Sequence, residues 1–275
     1  MPVVWDSVDC ISNLFQQASS QSQGFFGKII TRLELPRTRF AEGNLVCDFD
    51  HVLVTSSVDK RKLLELVPKN RSSAPISVLS NGVDFEYFHP EPDIQHEPDT
   101  LVFSGKMSYH ANIKMVQYFV AEILPRIWQK RKNVKLLVVG KDPSAEVRKL
   151  ASHPLITVTG AVEDIRPYLW KATVAVVPLI YGAGIQNKIL EAMATGLPVV
   201  TTPKAVSALD IALDKEILVA ESPDEFAEKV LCLLKDLVLQ SDVAKAGLAY
   251  VHRNHSWNRI ASQLVGAYEQ AMTSS

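Results

Sequence analysis

The chain has 275 residues, 47% of them apolar, and a formal net charge of -1. That apolar share fills the core of one large domain or two ordinary ones and excludes a disordered chain, while the near-neutral balance leaves no electrostatic case for nucleic acid. Cys10, Cys47 and Cys232 are odd in number and in no metal-ligand spacing, so they read as free thiols of a reducing compartment.

Taken in chain order, the first segment predicts a strand over Val3 to Trp5, helices over Val8 to Ala18 and Phe26 to Phe40, a strand over His51 to Thr55 and a helix over Val58 to Leu66. The amino terminus shows no basic segment followed by an apolar run, and no stretch is apolar enough to span a bilayer. A cytoplasmic protein is expected. Phe25, Phe26, Ile29, Ile30 and Leu33, with Lys28, Arg32, Arg37 and Arg39, form either a basic amphipathic surface for peripheral membrane contact or an ordinary helix with one face in the core. Asp6 and Asp9 follow the first strand, where they can face a cleft. Asn81-Gly82 predicts a tight turn, and 89–99, with three prolines and four acids, reads as a surface connection.

From Thr100 onward, short apolar runs alternate with helical patterns. Strands are expected at Leu101 to Ser104, Val134 to Val139, Leu155 to Val158, Val174 to Val177, Val199 to Thr201 and Ile217 to Val219. Helices are expected around Met115 to Trp128, Ala145 to Leu150, Ile165 to Trp170 and Ile185 to Ala194. This alternation predicts a doubly wound parallel sheet with helices on both faces. Ligands of such sheets bind beyond the carboxyl ends of the strands, near the point where strand order reverses. Ser222-Pro223-Asp224-Glu225 opens a further helix, and two more helical patterns follow, the last from Trp257 to Met272.

The stretch from Gly182 to Thr202, GAGIQNKILEAMATGLPVVTT, carries the most chemistry. Its apolar residues recur at helical spacing, Gly196 is placed to stop the helix, and Pro198 lies just beyond. At the other end, the backbone of Gly182, Ala183, Gly184 and Ile185 can approach a ligand closely, and first-turn N–H groups attract an anion such as a diphosphate. Lys188 and Glu191 are three residues apart and neighbours on the helix surface. They suit a nucleoside diphosphate, lysine to phosphate and glutamate to two ribose hydroxyls; the alternative is a surface ion pair of a few tenths of a kcal/mol.

This stretch, together with Phe103, Gly105, Met107, Tyr109 and Asn112 upstream, resembles the donor-binding signature of the family 4, group 1 retaining glycosyltransferases of the GT-B fold. The resemblance is to the exopolysaccharide-type sugar transferases, with their GIQNKxLEAMA string. It implies a GT-B-like α/β protein in which a complete carboxy-terminal Rossmann-like domain, 100–255, binds a nucleotide-sugar donor. Residues 1–88 would form a partial acceptor-side domain, 89–99 a linker, and 256–275 a helix packing back on the first domain. The broad family carries two glutamates with seven residues between them; Glu191 matches the second, and Ala183 occupies the first position, which in that family is associated with the transferred sugar.

The resemblance further implies donor contacts from Gly105, Lys106, Val162, Gly182, Ala183, Gly184, Ile185, Lys188 and Glu191, with catalysis resting on Lys188, Glu191 and Lys106. Lys106 reads equally as a solvated turn residue, His110 and Asn112 as caps of the next helix, and Asp164 first of all as a helix cap. No cofactor or metal is expected. The partners implied are the donor and a sugar, lipid-linked or small-molecule acceptor. About eighty residues precede Asn81-Gly82, whereas a six-strand domain needs on the order of 150. The front half of that domain is therefore expected to be missing. A nucleotide-binding module without turnover is the alternative function. A nicotinamide-dependent oxidoreductase lacks its strand-linked Gly-x-Gly-x-x-Gly fingerprint here.

Overall fold

The computed structural model describes residues 1–21, 25–182 and 184–273, with the side chains of 17–32 outside that description. Most of the expected amphipathic surface, from Phe25 to Arg32, therefore lies outside the described side chains, as does Ala183. Of the remainder, Leu33 is exposed and Arg37 pairs with Glu34 in solvent. Among the described residues no helix is long and apolar enough to cross a membrane.

The first sheet is small. Strands β1 (Val4–Val8), β2 (His51–Val54) and β3 (Ile76–Val78) run parallel in the order β1-β2-β3. The middle strand is buried along its whole length, as parallel strands covered on both faces are. Helices α1 (Ile11–Gln21), α2 (Phe25–Asp48) and α3 (Ser57–Leu64) connect these strands. Helix α2 continues eight residues beyond the expected end because Gly43 lets it pass close to Leu66, whose carbonyl oxygen lies 2.2 Å from where a Cβ at 43 would stand. Val46, Val52, Val54, Leu63 and Ile76 make a compact core.

The second sheet has six parallel strands: β4 (Thr100–Ser104), β5 (Lys135–Val139), β6 (Ile156–Val158), β7 (Val174–Val177), β8 (Val199–Thr201) and β9 (Leu218–Val219), in the order β6-β5-β4-β7-β8-β9. Each lies within one residue of its expected start. Strands β4, β7 and β8 are uninterrupted apolar runs ending in small polar or aliphatic residues, and all are buried. The long helix expected over Met115 to Trp128 is two helices, α4 (His110–Tyr118) and α5 (Leu124–Lys130), joined by a π turn at Phe119–Ile123. Pro125 explains the break, since it has no N–H to give the preceding turn. Then come α6 (Ala145–Lys149), α7 (Arg166–Lys171), α8 (Asn187–Ala194), α9 (Pro203–Val206), α10 (Pro223–Lys235), α11 (Leu237–Asn254) and α12 (Trp257–Thr273).

Asn81-Gly82 is not the tight turn expected. The chain passes through it extended, and Val83 pairs with Ser256 in a parallel bridge. The glycine serves close approach instead, because a Cβ at 82 would stand 2.5 Å from the indole of Trp257. Helix α12 then runs back onto the small sheet at β2.

Strand order reverses between β4 and β7. Their pairing extends only from Leu101–Val174 to Val102–Ala175, so beyond Ser104 and Val177 the two chains part and leave a crevice. On its far side Gly140, with φ +148°, approaches Gly105 so closely that a Cβ would stand 1.8 Å from the Gly105 carbonyl oxygen. Gly140→Ala is expected to cost about 1–3 kcal/mol, the scale of an overpacked interior, read as a lower urea midpoint with an unchanged slope. An unchanged midpoint would show that the loops after β4 and β5 are not held against each other.

Candidate functional site

The end of α8 nearer the sheet core is closed by the sequence itself. Gly196, with φ +77°, lets its N–H reach the Met193 carbonyl and the Leu197 N–H reach that of Ala192, the paired bonds of a glycine-terminated helix. Ile189, Leu190, Ala192, Met193 and Ala194 are buried. The helix is thereby clamped so that its start, at Asn187, faces the crevice between β4 and β7.

On the crevice side stand Lys188 and Glu191. Lys188 does not pair with Glu191; its ammonium crosses to the first turn of α4 and donates to Oδ1 of buried Asn112. Asn112 in turn donates through Nδ2 to the Lys106 carbonyl at 3.0 Å, so it ties loop to lysine rather than capping α4. The ammonium also lies 5.0 Å from the centre of the Phe103 ring, within cation–π range, and 3.2 Å from where a Cβ at Gly105 would stand. Desolvation pulls the Lys188 pKa down to about 8 against the opposing charge of Glu191.

Glu191 is largely buried, and burial pushes its carboxyl up while Lys188 holds it down. Among the described residues no protein donor reaches that carboxylate. A desolvated acceptor without a partner costs stability, and such a group in a crevice is a functional-site candidate.

The remaining residues fall around this centre unequally. Gly182 and Gly184 have φ of +141° and +73° in the loop leading to α8, with Ile185 partly buried beside them. Ala183 lies outside the described residues. Lys106 is exposed on the loop after β4. Val162 packs partly buried against the core at the carboxyl end of β6. Asp164 accepts from the backbone N–H of Arg166 at 2.9 Å and takes the Arg166 guanidinium on both oxygens, which holds its pKa down to about 2. Tyr87 donates to the same carboxylate at 3.0 Å; the residue flanking α7 is Ile165, which makes no side-chain cap bond, so Asp164 is not the expected helix cap but an anchor of the segment between the sheets. His110 meets the hydroxyl of Tyr181 across the crevice, joining the loops after β4 and β7.

The family model described as Glycosyl transferases group 1 matches residues 98–236. The chain belongs to that family. It is 24% identical over 237 residues to a component of the phosphatidylinositol N-acetylglucosaminyltransferase of Homo sapiens, covering 82% of this chain and 47% of the human protein. It is 28% identical over 210 residues to phosphatidyl-myo-inositol mannosyltransferase of Mycobacterium leprae, covering 71% and 54%. The chain spans about half the length of the curated relatives it matches. Among solved structures, Anabaena HepE in complex with UDP superposes with a TM-score of 0.75 at 13% identity, over 98% of this chain and 72% of that one. The fold is the GT-B fold.

Within this group 1 glycosyltransferase chain, the sequence pointed to the glycine loop, Lys188 and Glu191, but not to the roles of Asn112 and Phe103. Their clustering with Lys188 follows from β4 lying beside β7, which no local pattern announces. The displaced pKa has a measurable consequence. Below about pH 8 folding buries a charged Lys188, whereas above its ordinary value of 10.5 both states are neutral. The wild type should therefore gain about 3 kcal/mol relative to Lys188→Met as pH rises from 8 to 10.5. Parallel stability profiles for the two proteins would show that the lysine is not desolvated.

Proposed function

We propose that the chain transfers a hexose-like sugar from a nucleoside diphosphate donor to a hydroxyl of a sugar, lipid-linked or small-molecule acceptor, with retention at the anomeric carbon, in polysaccharide or glycoconjugate synthesis. One observation carries this reading: a desolvated cation and a partnerless carboxylate stand three residues apart on one helix, at the switch point of a doubly wound sheet. The cation suits a diphosphate and the carboxylate two vicinal ribose hydroxyls. The human and mycobacterial relatives, whose names specify sugar transfer to inositol lipids, support the reaction class and a lipid-linked acceptor. HepE, solved with UDP, supports a nucleoside diphosphate.

In the proposed reaction the acceptor oxygen bonds to the anomeric carbon as the bond from that carbon to the distal phosphate oxygen breaks. The nucleoside diphosphate departs with the electron pair, and one proton is released from the acceptor hydroxyl. Lys188 and the N–H groups at the start of α8 stabilise the charge on the departing diphosphate, the electrostatic contribution that acts most strongly where water is excluded. Gly105, Gly182, Gly184 and Ile185 admit the phosphates by backbone, Val162 lies toward the base, and Lys106 is a second cation at the mouth. Ala183, in the place of a carboxylate, favours one rival: a module that binds nucleoside diphosphate without turnover. Product formation from a bound donor separates the two.

Calorimetric titration of uridine, guanosine and adenosine mono- and diphosphates tests the site. The matching diphosphate should bind at least tenfold more tightly than its monophosphate, because the second phosphate adds contacts to Lys188; equal affinities would remove the diphosphate assignment. Glu191→Ala should weaken diphosphate binding by about 1–3 kcal/mol with the fold intact. A loss of fold without a separable loss of affinity would make that carboxylate structural. Because Lys188 must be protonated to bind an anion, affinity should fall as pH rises above its pKa of about 8, and Lys188→Ala should abolish that alkaline fall.

A further inference from the structure

Strand β1 ends in a distorted backbone. Its register shifts between Asp6 and Val8, and Val8 adopts φ +60°, a conformation that β-branched residues rarely enter. The Asp9 N–H bonds back to the Ser7 carbonyl at 2.7 Å, closing a tight three-residue turn around Val8. Everything around this turn holds it. Thr55 N–H bonds the Val8 carbonyl at 2.8 Å and Thr55 Oγ1 donates to Asp9 Oδ1 at 3.1 Å. The next N–H groups, of Cys10, Ile11 and Ser12, go to the buried carboxylates of Asp59 and Glu42 at 3.1, 2.6 and 3.1 Å.

The result of this bracing is the position of one carboxylate. Asp9 Oδ1 lies 3.1 Å from where a Cβ on residue 184 would stand, so the small sheet delivers an acid against the glycine loop of the large one. Gly184, at φ +73°, admits it. Burial and the charge of Asp59 push the Asp9 carboxyl up, and the Thr55 bond holds it down.

Along α8 and its entry loop, Glu191, Lys188 and Gly184 with Asp9 follow one another as carboxylate, ammonium and carboxylate. A nucleoside diphosphate sugar has the matching order: ribose hydroxyls, diphosphate, sugar hydroxyls. A carboxylate beside a diphosphate is repelled unless it has hydrogen-bond donors of its own, and past the distal phosphate the donors available are the hydroxyls of the sugar. We propose that Asp9 is a specificity-determining residue that accepts hydrogen bonds from hydroxyls of the transferred sugar, supplying from the small sheet a carboxylate that the loop itself lacks. This rests on the nucleotide-sugar reading above.

The test compares, by calorimetry on the full chain, the free nucleoside diphosphate selected above with its glucose and mannose conjugates. Asp9→Ala should weaken the better-bound conjugate about tenfold and leave the free diphosphate within twofold of wild type. Asp9→Asn, which keeps the shape and the contact to Thr55, should give a smaller loss of the same kind, with an unchanged circular dichroism melt confirming the fold. Conjugate affinity equal to wild type in both variants would overturn the inference, as would parallel losses for conjugate and free diphosphate, which mark a structural role. Lys188→Ala serves as the control for the underlying reading, since it should weaken free diphosphate and conjugate alike. If it does so while the Asp9 variants are silent, the nucleotide site stands and the role of Asp9 falls; if wild type binds no diphosphate, both fall.

Discussion

The ammonium of Lys188 is held largely out of water between the Oδ1 of Asn112 and the face of Phe103, and the arrangement at the carboxyl edge of the large sheet follows from that. A desolvated cation is tolerated when polar and aromatic groups replace part of its hydration. Asn112 is fixed for this by its second bond, to the Lys106 carbonyl, which also shapes the loop after β4. Gly105 is required in that loop because the ammonium and the Asn112 amide occupy the space of a Cβ. The depressed pKa records a charge held out of water at a cost to stability.

The two sheets meet through contacts of a different character. His255 is buried at the end of α11, where its ring bonds Ser80, the Asn81 carbonyl and the hydroxyl of Tyr250, and its own carbonyl accepts the Val83 N–H. Burial lowers its pKa, against the bond to the Asn81 carbonyl, and so favours the neutral ring at this junction. Asn81 also donates to Asn187 at the first residue of α8, at 2.7 Å. Arg166 adds a second tie, with its guanidinium on Asp164 and 4.1 Å from the centre of the Tyr87 ring. The segment between the sheets is therefore bonded to the carboxyl-edge machinery at two places, which sets where the end of β1 falls relative to the glycine loop.

The large sheet and the termination of α8 were legible in the sequence because their causes are local. Buried parallel strands are short apolar runs, a glycine in the left-handed region closes a helix, and three-residue spacing puts two side chains on one helix face. Each is decided within a few residues. Strand β3 and helix α9 were not legible, being three and four residues long between prolines and polar residues. The turn expected at Asn81-Gly82 failed for a related reason: glycine serves both a tight turn and a close approach, and it is Trp257, far along the chain, that selects the second.

By itself, then, the sequence determined the fold class, the helix that carries Lys188 and Glu191, and the order of groups along it, since periodicity, capping and spacing act over one or two turns. Tertiary structure alone decided what those groups meet. Lys188 bonds Asn112 rather than Glu191 because reversal of strand order brings the loop after β4 beside the start of α8. Asp9 reaches Gly184 because a braced turn at the end of one sheet lies against a loop of the other, across more than 170 residues of chain. Side-chain partnership across such separations depends on how elements pack, and packing is written in no single stretch of sequence.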